Sequence, residues 1–166
     1  MTWIDFTFRL TVAFILGSLI GLERQWRQRM AGLRTNTLVA TGSALLVMLS
    51  VLTPDESSPT RIAAQVVSGI GFLAGGVILK EGASVRGLNT AATIWCAAAV
   101  GAFAGAGYIP QAAIGAGAVL ISNTLLRPLG YRINQQPLKG TELELVYECS
   151  FICKSHPEAH LRALLL

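Results

Sequence analysis

Long apolar runs, separated by short polar or charged segments, fill the first 132 residues of the chain. They span about residues 3–22, 35–52, 62–79, 88–105 and 112–126. A helix of about 18 residues is about 27 Å long, which nearly matches the roughly 30 Å hydrocarbon layer of a bilayer. The pattern therefore predicts an all-α polytopic membrane protein, with five transmembrane helices in a domain over residues 1–132.

The hydropathy pattern changes after this domain. Residues 133–141 are polar and form a predicted linker. In residues 142–154, ELELVYECSFICK, apolar and polar positions alternate, which is typical of a half-buried strand. Pro157 and Glu158 then mark a helix start. One strand and one short helix cannot bury a core, so residues 142–166 are predicted to be the beginning of an incomplete α+β domain.

The basic residues predict the orientation in the membrane. Residues 23–34, ERQWRQRMAGLR, carry four arginines and one acid, whereas residues 53–60, TPDESSPT, carry two acids and no base. Basic loops remain in the cytoplasm, so we expect the N-terminus outside and the C-terminus inside. Asp5 and Arg9 lie one helical turn apart near the outer end of the first helix, where they are expected to pair.

Composition agrees with a membrane location. Hydrophobic residues make up 52% of the chain and charged residues only 13%, and the mean hydropathy is +0.55. A net charge of +4 would suit a nucleic-acid partner, but the charges are placed at the ends of the apolar runs. We therefore predict membrane lipids as the surroundings and no nucleic-acid partner.

Glycine is dense, above all in residues 61–93, which we interpret as the centre of helix packing. Missing side chains let membrane helices approach closely, and GxxxG patterns are typical of such contacts. The predicted packing glycines are Gly17, Gly21, Gly69, Gly71, Gly75, Gly101 and Gly105. The patterns could build the monomer or join two copies as a homodimer, and the sequence leaves both open.

Two passages resemble the signatures of the MgtC/SapB family of bacterial inner-membrane proteins, with greater similarity to its virulence-associated MgtC branch. They are GLERQWRQRMAGLRT, residues 21–35, and RIAAQVVSGIGFLAGGVILKEGASVRGLNTAAT, residues 61–93. The resemblance covers residues 10–132. It implies a multi-pass inner-membrane domain followed by a cytoplasmic ACT-like domain, of which residues 142–166 would be the first strand and helix.

The resemblance also implies a function. Such proteins are associated with growth at low magnesium and survival inside macrophages, and they are thought to act by binding and inhibiting the F1Fo ATP synthase. A magnesium or cation transporter is the alternative. Mg²⁺ prefers carboxylate and water oxygens, but residues 62–79 and 112–126 contain no acid, which favours the regulatory function.

Two residues match functionally sensitive positions of the family. They are Asn89 in the membrane domain and Cys153 in the tail. Asn89 could cap the fourth helix and form a polar stripe with Thr93 and Cys96 between helices. Alternatively, its amide could bind a transmembrane helix of a partner protein, where water is absent. The residue pattern leaves both interpretations open.

Charged residues at the cytoplasmic boundary are further candidates. Glu23, Arg24 and Arg34 could set the topology and form salt bridges. They could also recognise an acidic protein surface or anionic lipid head groups, because basic side chains are attracted to both.

Two patterns that resemble enzyme or metal motifs are rejected. The glycines of residues 69–75 resemble a dinucleotide-binding loop, but they lie inside a membrane-length apolar run instead of following a strand. Metal-like spacing is also found in Cys149, Cys153, His156 and His160. These four residues lack the long insert of a zinc finger. We therefore predict no enzymatic activity, no cofactor and no metal site.

Overall fold

The computed structural model describes residues 1–53, 59–81 and 84–134. The described elements are α1 (Trp3–Trp26), α2 (Leu33–Leu52), α3 (Pro59–Gly75), β1 (Leu79–Glu81), β2 (Ser84–Arg86), α4 (Leu88–Ala106) and α5 (Ile109–Asn134). In these ranges, α1, α2, α4 and residues 109–130 of α5 are long and apolar enough to cross a membrane. The predicted strand and helix of residues 142–166, including Cys153, lie outside the described residues.

α3 lies earlier in the chain than the sequence predicted. The predicted helix over residues 62–79 begins at Pro59 and ends at Gly75, so its 17 residues extend about 26 Å. The N–H of Ile78 donates to the Gly75 carbonyl in a turn, and Leu79 then begins β1. Apolar residues continue through this helix end into the strand, so hydropathy could not locate it. A crossing by α3 remains a prediction.

The segment between the third and fourth predicted apolar runs contains an antiparallel β-hairpin. Leu79 pairs with Arg86 and Lys80 with Val85. The hairpin holds the end of α3 close to the start of α4. It is a small element on a mostly helical fold.

Both ends of α1 differ from the sequence prediction, which gave a helix over residues 3–22 and an Asp5–Arg9 pair. At its start, Thr2 and Asp5 form a capping box, in which Thr2 Oγ1 donates to Asp5 Oδ2 at 2.7 Å. Arg9 does not form the expected pair with Asp5, because its Nη1 donates to the Gly105 carbonyl of α4 at 3.1 Å. At its other end α1 continues past the predicted residue 22 to Trp26.

α2 is the centre of the packing, with α1 and α4 both pressed against it. A Cβ atom at Gly101 would collide with the Ala40 carbonyl, and one at Gly105 would lie 2.5 Å from the Ala44 oxygen. The two contacts follow in the same order along both helices, so α2 and α4 run parallel. A Cβ at Gly17 would lie 2.7 Å from the Ala40 Cβ, which places α1 equally close. Small residues therefore allow both neighbours to reach the α2 backbone.

The glycines of α3 have no such contacts. Among the described residues, no neighbouring atom lies within 4 Å of a Cβ built at Gly69, Gly71 or Gly75. Beside them runs an apolar groove of about 700 Å³ between α2 and α3. Residues 61–93 are thus not the centre of packing within the described chain. The other two GxxxG patterns build the monomer, and a homodimer contact through Gly71 and Gly75 remains a prediction.

The turn between α1 and α2 is held by a buried amide. Gln28 and Ala31 have φ angles of 51° and 54°, a left-handed region that non-glycine residues seldom adopt. Asn36 is fully buried, and its Nδ2 donates to the Ala31 carbonyl at 2.6 Å and the Gly32 carbonyl at 3.0 Å. These bonds fix the turn in its unusual conformation.

Replacing Asn36 by alanine should lower the free energy of unfolding by about 1.5 kcal/mol, because two partly buried carbonyl groups lose a donor. Denaturant unfolding in detergent micelles would measure the change. Thr35→Ala is the control, since Thr35 lies in the same helical turn but is exposed. Equal losses for both variants would contradict a specific role for the Asn36 amide.

A basic pocket as the candidate functional site

The end of α1 and the start of α4 lie together at one end of the molecule, next to the arginine-rich turn after α1. Arg9 near the start of α1 contacts the end of α4, while Arg24 near the end of α1 contacts Thr90 at the start of α4. α1 and α4 therefore run antiparallel. This arrangement brings the arginine-rich turn after α1, the hairpin and the start of α4 to one end of the molecule.

Arg24 joins these segments from a buried position. Only 5% of its surface is exposed. Its Nη2 donates to Thr90 Oγ1 at 2.6 Å and to the Met30 carbonyl at 3.2 Å. Both acceptors are neutral oxygens. Burying a cation costs free energy because the cation loses its hydration. The two hydrogen bonds replace part of that hydration and fix the guanidinium group in place.

Glu23 forms a close ion pair one turn along α1. Its Oε1 lies 2.7 Å from Nε of Arg27. The other oxygen, Oε2, is buried and accepts no hydrogen bond from the described residues. Glu23 thus has one oxygen engaged with a cation and one available to a donor.

The start of α4 corrects the predicted role of Asn89 as a helix cap. The N-cap residue is Gly87, with φ at 94° and no side-chain capping bond. A Cβ at this position would collide with the Val77 carbonyl, so both the conformation and the space require glycine. Asn89 is the second residue of the helix and is exposed. The capping interpretation is wrong because a left-handed glycine begins the helix.

Thr93 connects α4 to α5. Its hydroxyl donates to the Asn89 carbonyl at 2.8 Å and lies 3.4 Å from Nδ2 of Asn123, which donates to it. Thr93 is buried, whereas Cys96 is only half-buried. Within the predicted polar stripe of α4, Thr93 therefore forms a hydrogen bond to α5.

A polar cavity of about 190 Å³ lies between these groups. We call it the basic pocket. It is lined by Glu23, Arg24, Arg27, Arg29, Gly87, Asn89, Thr90 and Asn123.

The basic pocket brings together three of the candidate residues, Glu23, Arg24 and Asn89. Arg34 is exposed in the first turn of α2 and does not line the pocket. Sequence reasoning missed Asn123, whose only signal was an amide within the apolar run of residues 112–126. In the ranges that the structure covers, no group of three or more His, Cys, Asp or Glu residues could hold a metal ion.

Apolar helices of membrane-spanning length, with a basic pocket at one end, define a multi-helix membrane protein. The model of the MgtC family matches residues 10–132. The chain belongs to the MgtC family, and this membership supports a virulence-related membrane protein of the MgtC type.

Several relatives match nearly the whole chain. An uncharacterized protein of Synechocystis sp. is 62% identical over 166 residues, which are 100% of this chain and 71% of the relative. Protein MgtC of Brucella abortus (strain 2308) is 55% identical over 157 residues, 95% of this chain and 66% of the relative. Protein MgtC of Salmonella paratyphi A is 51% identical over 100% of this chain and 71% of the relative. The chain thus spans 66–71% of the length of these relatives. No solved structure matches.

Proposed function

We propose that this protein is a bacterial inner-membrane regulator that supports growth at low magnesium and survival inside macrophages by binding and inhibiting the F1Fo ATP synthase. The observation that carries the proposal is the identity of 51–55% to proteins named MgtC over at least 95% of the chain. The protein would act by contact with another membrane complex and would need no catalytic group of its own.

The surroundings of Asn89 support a contact with a membrane partner. Asn89 is exposed and does not cap its helix, so its amide is accessible at the start of α4. Leu88, Trp95 and Phe103 are 59%, 45% and 48% exposed, so apolar side chains of α4 also lie on the surface of the bundle. An amide beside an apolar helix surface suits a partner helix, because a low-dielectric contact strengthens its hydrogen bonds.

Proton pumping in inverted membrane vesicles tests this proposal. We expect the protein to lower the gradient driven by ATP and to leave the gradient driven by NADH unchanged. Asn89→Ala should restore the ATP-driven gradient while changing the free energy of unfolding by no more than about 0.5 kcal/mol, since the side chain is exposed and caps nothing.

Gln65→Ala is the matched control, because Gln65 is an exposed amide on α3, outside the basic pocket. It should leave inhibition intact. A fall in both gradients would contradict the proposal and favour the cation-transporter alternative. Inhibition that survives Asn89→Ala would show that the contact does not involve this amide.

A further inference from the structure

We propose that the basic pocket binds a phosphate group that has a hydroxyl beside it, carried either by inorganic phosphate or by the head group of an anionic phospholipid. The proposal does not depend on ATP synthase as a partner. It rests on the charge, the donors and the size of the cavity.

The lining has an excess of positive charge. Three guanidinium groups face one carboxylate, which leaves a net charge of two. Glu23, the carboxylate of the lining, already pairs with Arg27 at 2.7 Å, so Arg29 adds positive charge that this pair does not balance. Guanidinium groups match the geometry of phosphate oxygens and can bind them with two parallel hydrogen bonds. An anion in the pocket would offset this charge.

One donor of the cavity, the Arg24 guanidinium group, is already fixed in position. Arg24 is held by Thr90 and the Met30 carbonyl before any ligand enters. Arg29 lies in the adjoining turn, where its backbone N–H donates to the Arg24 carbonyl at 3.0 Å and its side chain is exposed. Ordering the Arg24 guanidinium group would therefore cost a ligand little entropy.

The start of α4 adds neutral donors. Gly87, Asn89 and Thr90 line the cavity, and no side chain caps this helix of 19 residues. Free N–H groups and the helix dipole make such an end favourable for anions. The carboxamide of Asn123, opposite on α5, provides a further N–H donor. The helix end thus reinforces a site that the arginines establish.

Glu23 restricts which phosphate compounds fit. Its buried Oε2 accepts no hydrogen bond from the described residues, so a ligand hydroxyl could donate to it. Protonated inorganic phosphate carries such a hydroxyl on phosphorus, and phosphatidylglycerol carries two on its head group. A fully deprotonated anion would instead be repelled by this carboxylate.

The size of the cavity favours small ligands. Its volume is about 190 Å³. Pockets for drug-sized molecules are larger, about 300–1,000 Å³. A phosphate or a lipid head group is of suitable size for this space.

The test uses the full chain in nanodiscs, with two separate probes. In the first arm, phosphatidylcholine nanodiscs are titrated with inorganic phosphate at constant ionic strength, and binding is measured by calorimetry and by the melting temperature. In the second arm, no free phosphate is present and phosphatidylglycerol replaces increasing fractions of the phosphatidylcholine. Saturable stabilisation in either arm is expected, and the responding arm identifies the source of the phosphate group.

Two arginine variants separate the pocket from general surface charge. Arg29→Gln should weaken binding by at least about tenfold, because one charge-assisted contact is lost. Arg34→Gln removes the same charge outside the pocket and should bind like the parent protein. Equal weakening by both variants, or no response in either arm, would overturn the proposal.

A third variant tests the cavity without changing the net charge. Asn123→Leu places an apolar side chain in the lining and removes an amide donor. It should also weaken binding by about tenfold, equivalent to the loss of one good hydrogen bond. Unchanged binding in a variant that still folds would overturn the assignment to this cavity.

Discussion

Replacing Gly101 by valine should separate α2 from α4 and lower the free energy of unfolding by about 3 kcal/mol, at the upper end of what overpacking usually costs. The reason is that the obstacle is backbone. A Cβ at this position would meet the carbonyl oxygen, the carbonyl carbon and the Cα of Ala40. No side-chain rotation can relieve these overlaps, so the two helices must move apart.

The effect should extend beyond the substituted residue. Gly105 packs against Ala44 one turn further along, so moving the helices apart at Gly101 also opens this second contact. Arg9 donates a hydrogen bond to the Gly105 carbonyl, and a displacement of α4 would weaken this bond as well. One substitution at Gly101 is therefore expected to weaken several neighbouring contacts of α4 together.

Gly71→Val is the control for this prediction. It adds the same side chain to a helical glycine, but no neighbouring atom of the described residues lies within 4 Å of its Cβ. Unfolding by denaturant in detergent micelles should show a loss of less than about 0.5 kcal/mol for this variant. Comparable losses at both positions would contradict the α2–α4 contact as described.

Replacing Arg24 by methionine should lower the free energy of unfolding by about 2–3 kcal/mol, because two hydrogen bonds from a charged donor are lost, one of them to the buried Thr90 hydroxyl. Methionine keeps an unbranched apolar stem of similar reach, so the change mainly removes the guanidinium group. The Met30 carbonyl and Thr90 Oγ1 lose the donor that connects the α1–α2 turn to α4.

Limited digestion by trypsin measures the opening of this turn. Arg27 and Arg29 lie within it and are cleavage sites, so Arg24→Met should be cut there about tenfold faster or more, as the expected loss of stability implies. Arg34→Met is the control, since Arg34 is exposed in α2. A cleavage rate in Arg24→Met that equals that of Arg34→Met would show that Arg24 does not hold the turn.

Apolar runs predicted most of the described helices. They located the regions of α1, α2, α4 and α5, because hydropathy responds directly to the length of a bilayer. They could not locate the end of α3. Leu79 and Val85 are apolar residues of a hairpin, and their hydropathy does not distinguish a strand from the last turn of a helix.

The GxxxG patterns show a second limit of sequence reasoning. Gly101/Gly105 and Gly71/Gly75 have the same spacing, but only the first pair contacts another helix among the described residues. Which face of a helix is packed depends on the positions of its neighbours, and the pattern within one helix does not contain this information.

The basic pocket was only partly predictable. Glu23 and Arg24 followed from one motif and Asn89 from another, but their meeting depends on the antiparallel packing of α1 and α4. Asn123 belongs to a third helix and has no local signature. The cap was misassigned because asparagine is a common N-cap residue, whereas the left-handed conformation of Gly87 is a property of the folded backbone.

The parallel alignment of α2 and α4 determines the order in which the protein can be assembled during synthesis. Neighbouring antiparallel helices can pair soon after they emerge, but Ala40 cannot meet Gly101 until α3 and the hairpin have been made. The nascent chain therefore leaves the face of α2 that later contacts α4 uncovered while translation continues. During this interval the face is open to premature contacts with other membrane proteins, so prompt synthesis of α4 protects the chain from misassembly.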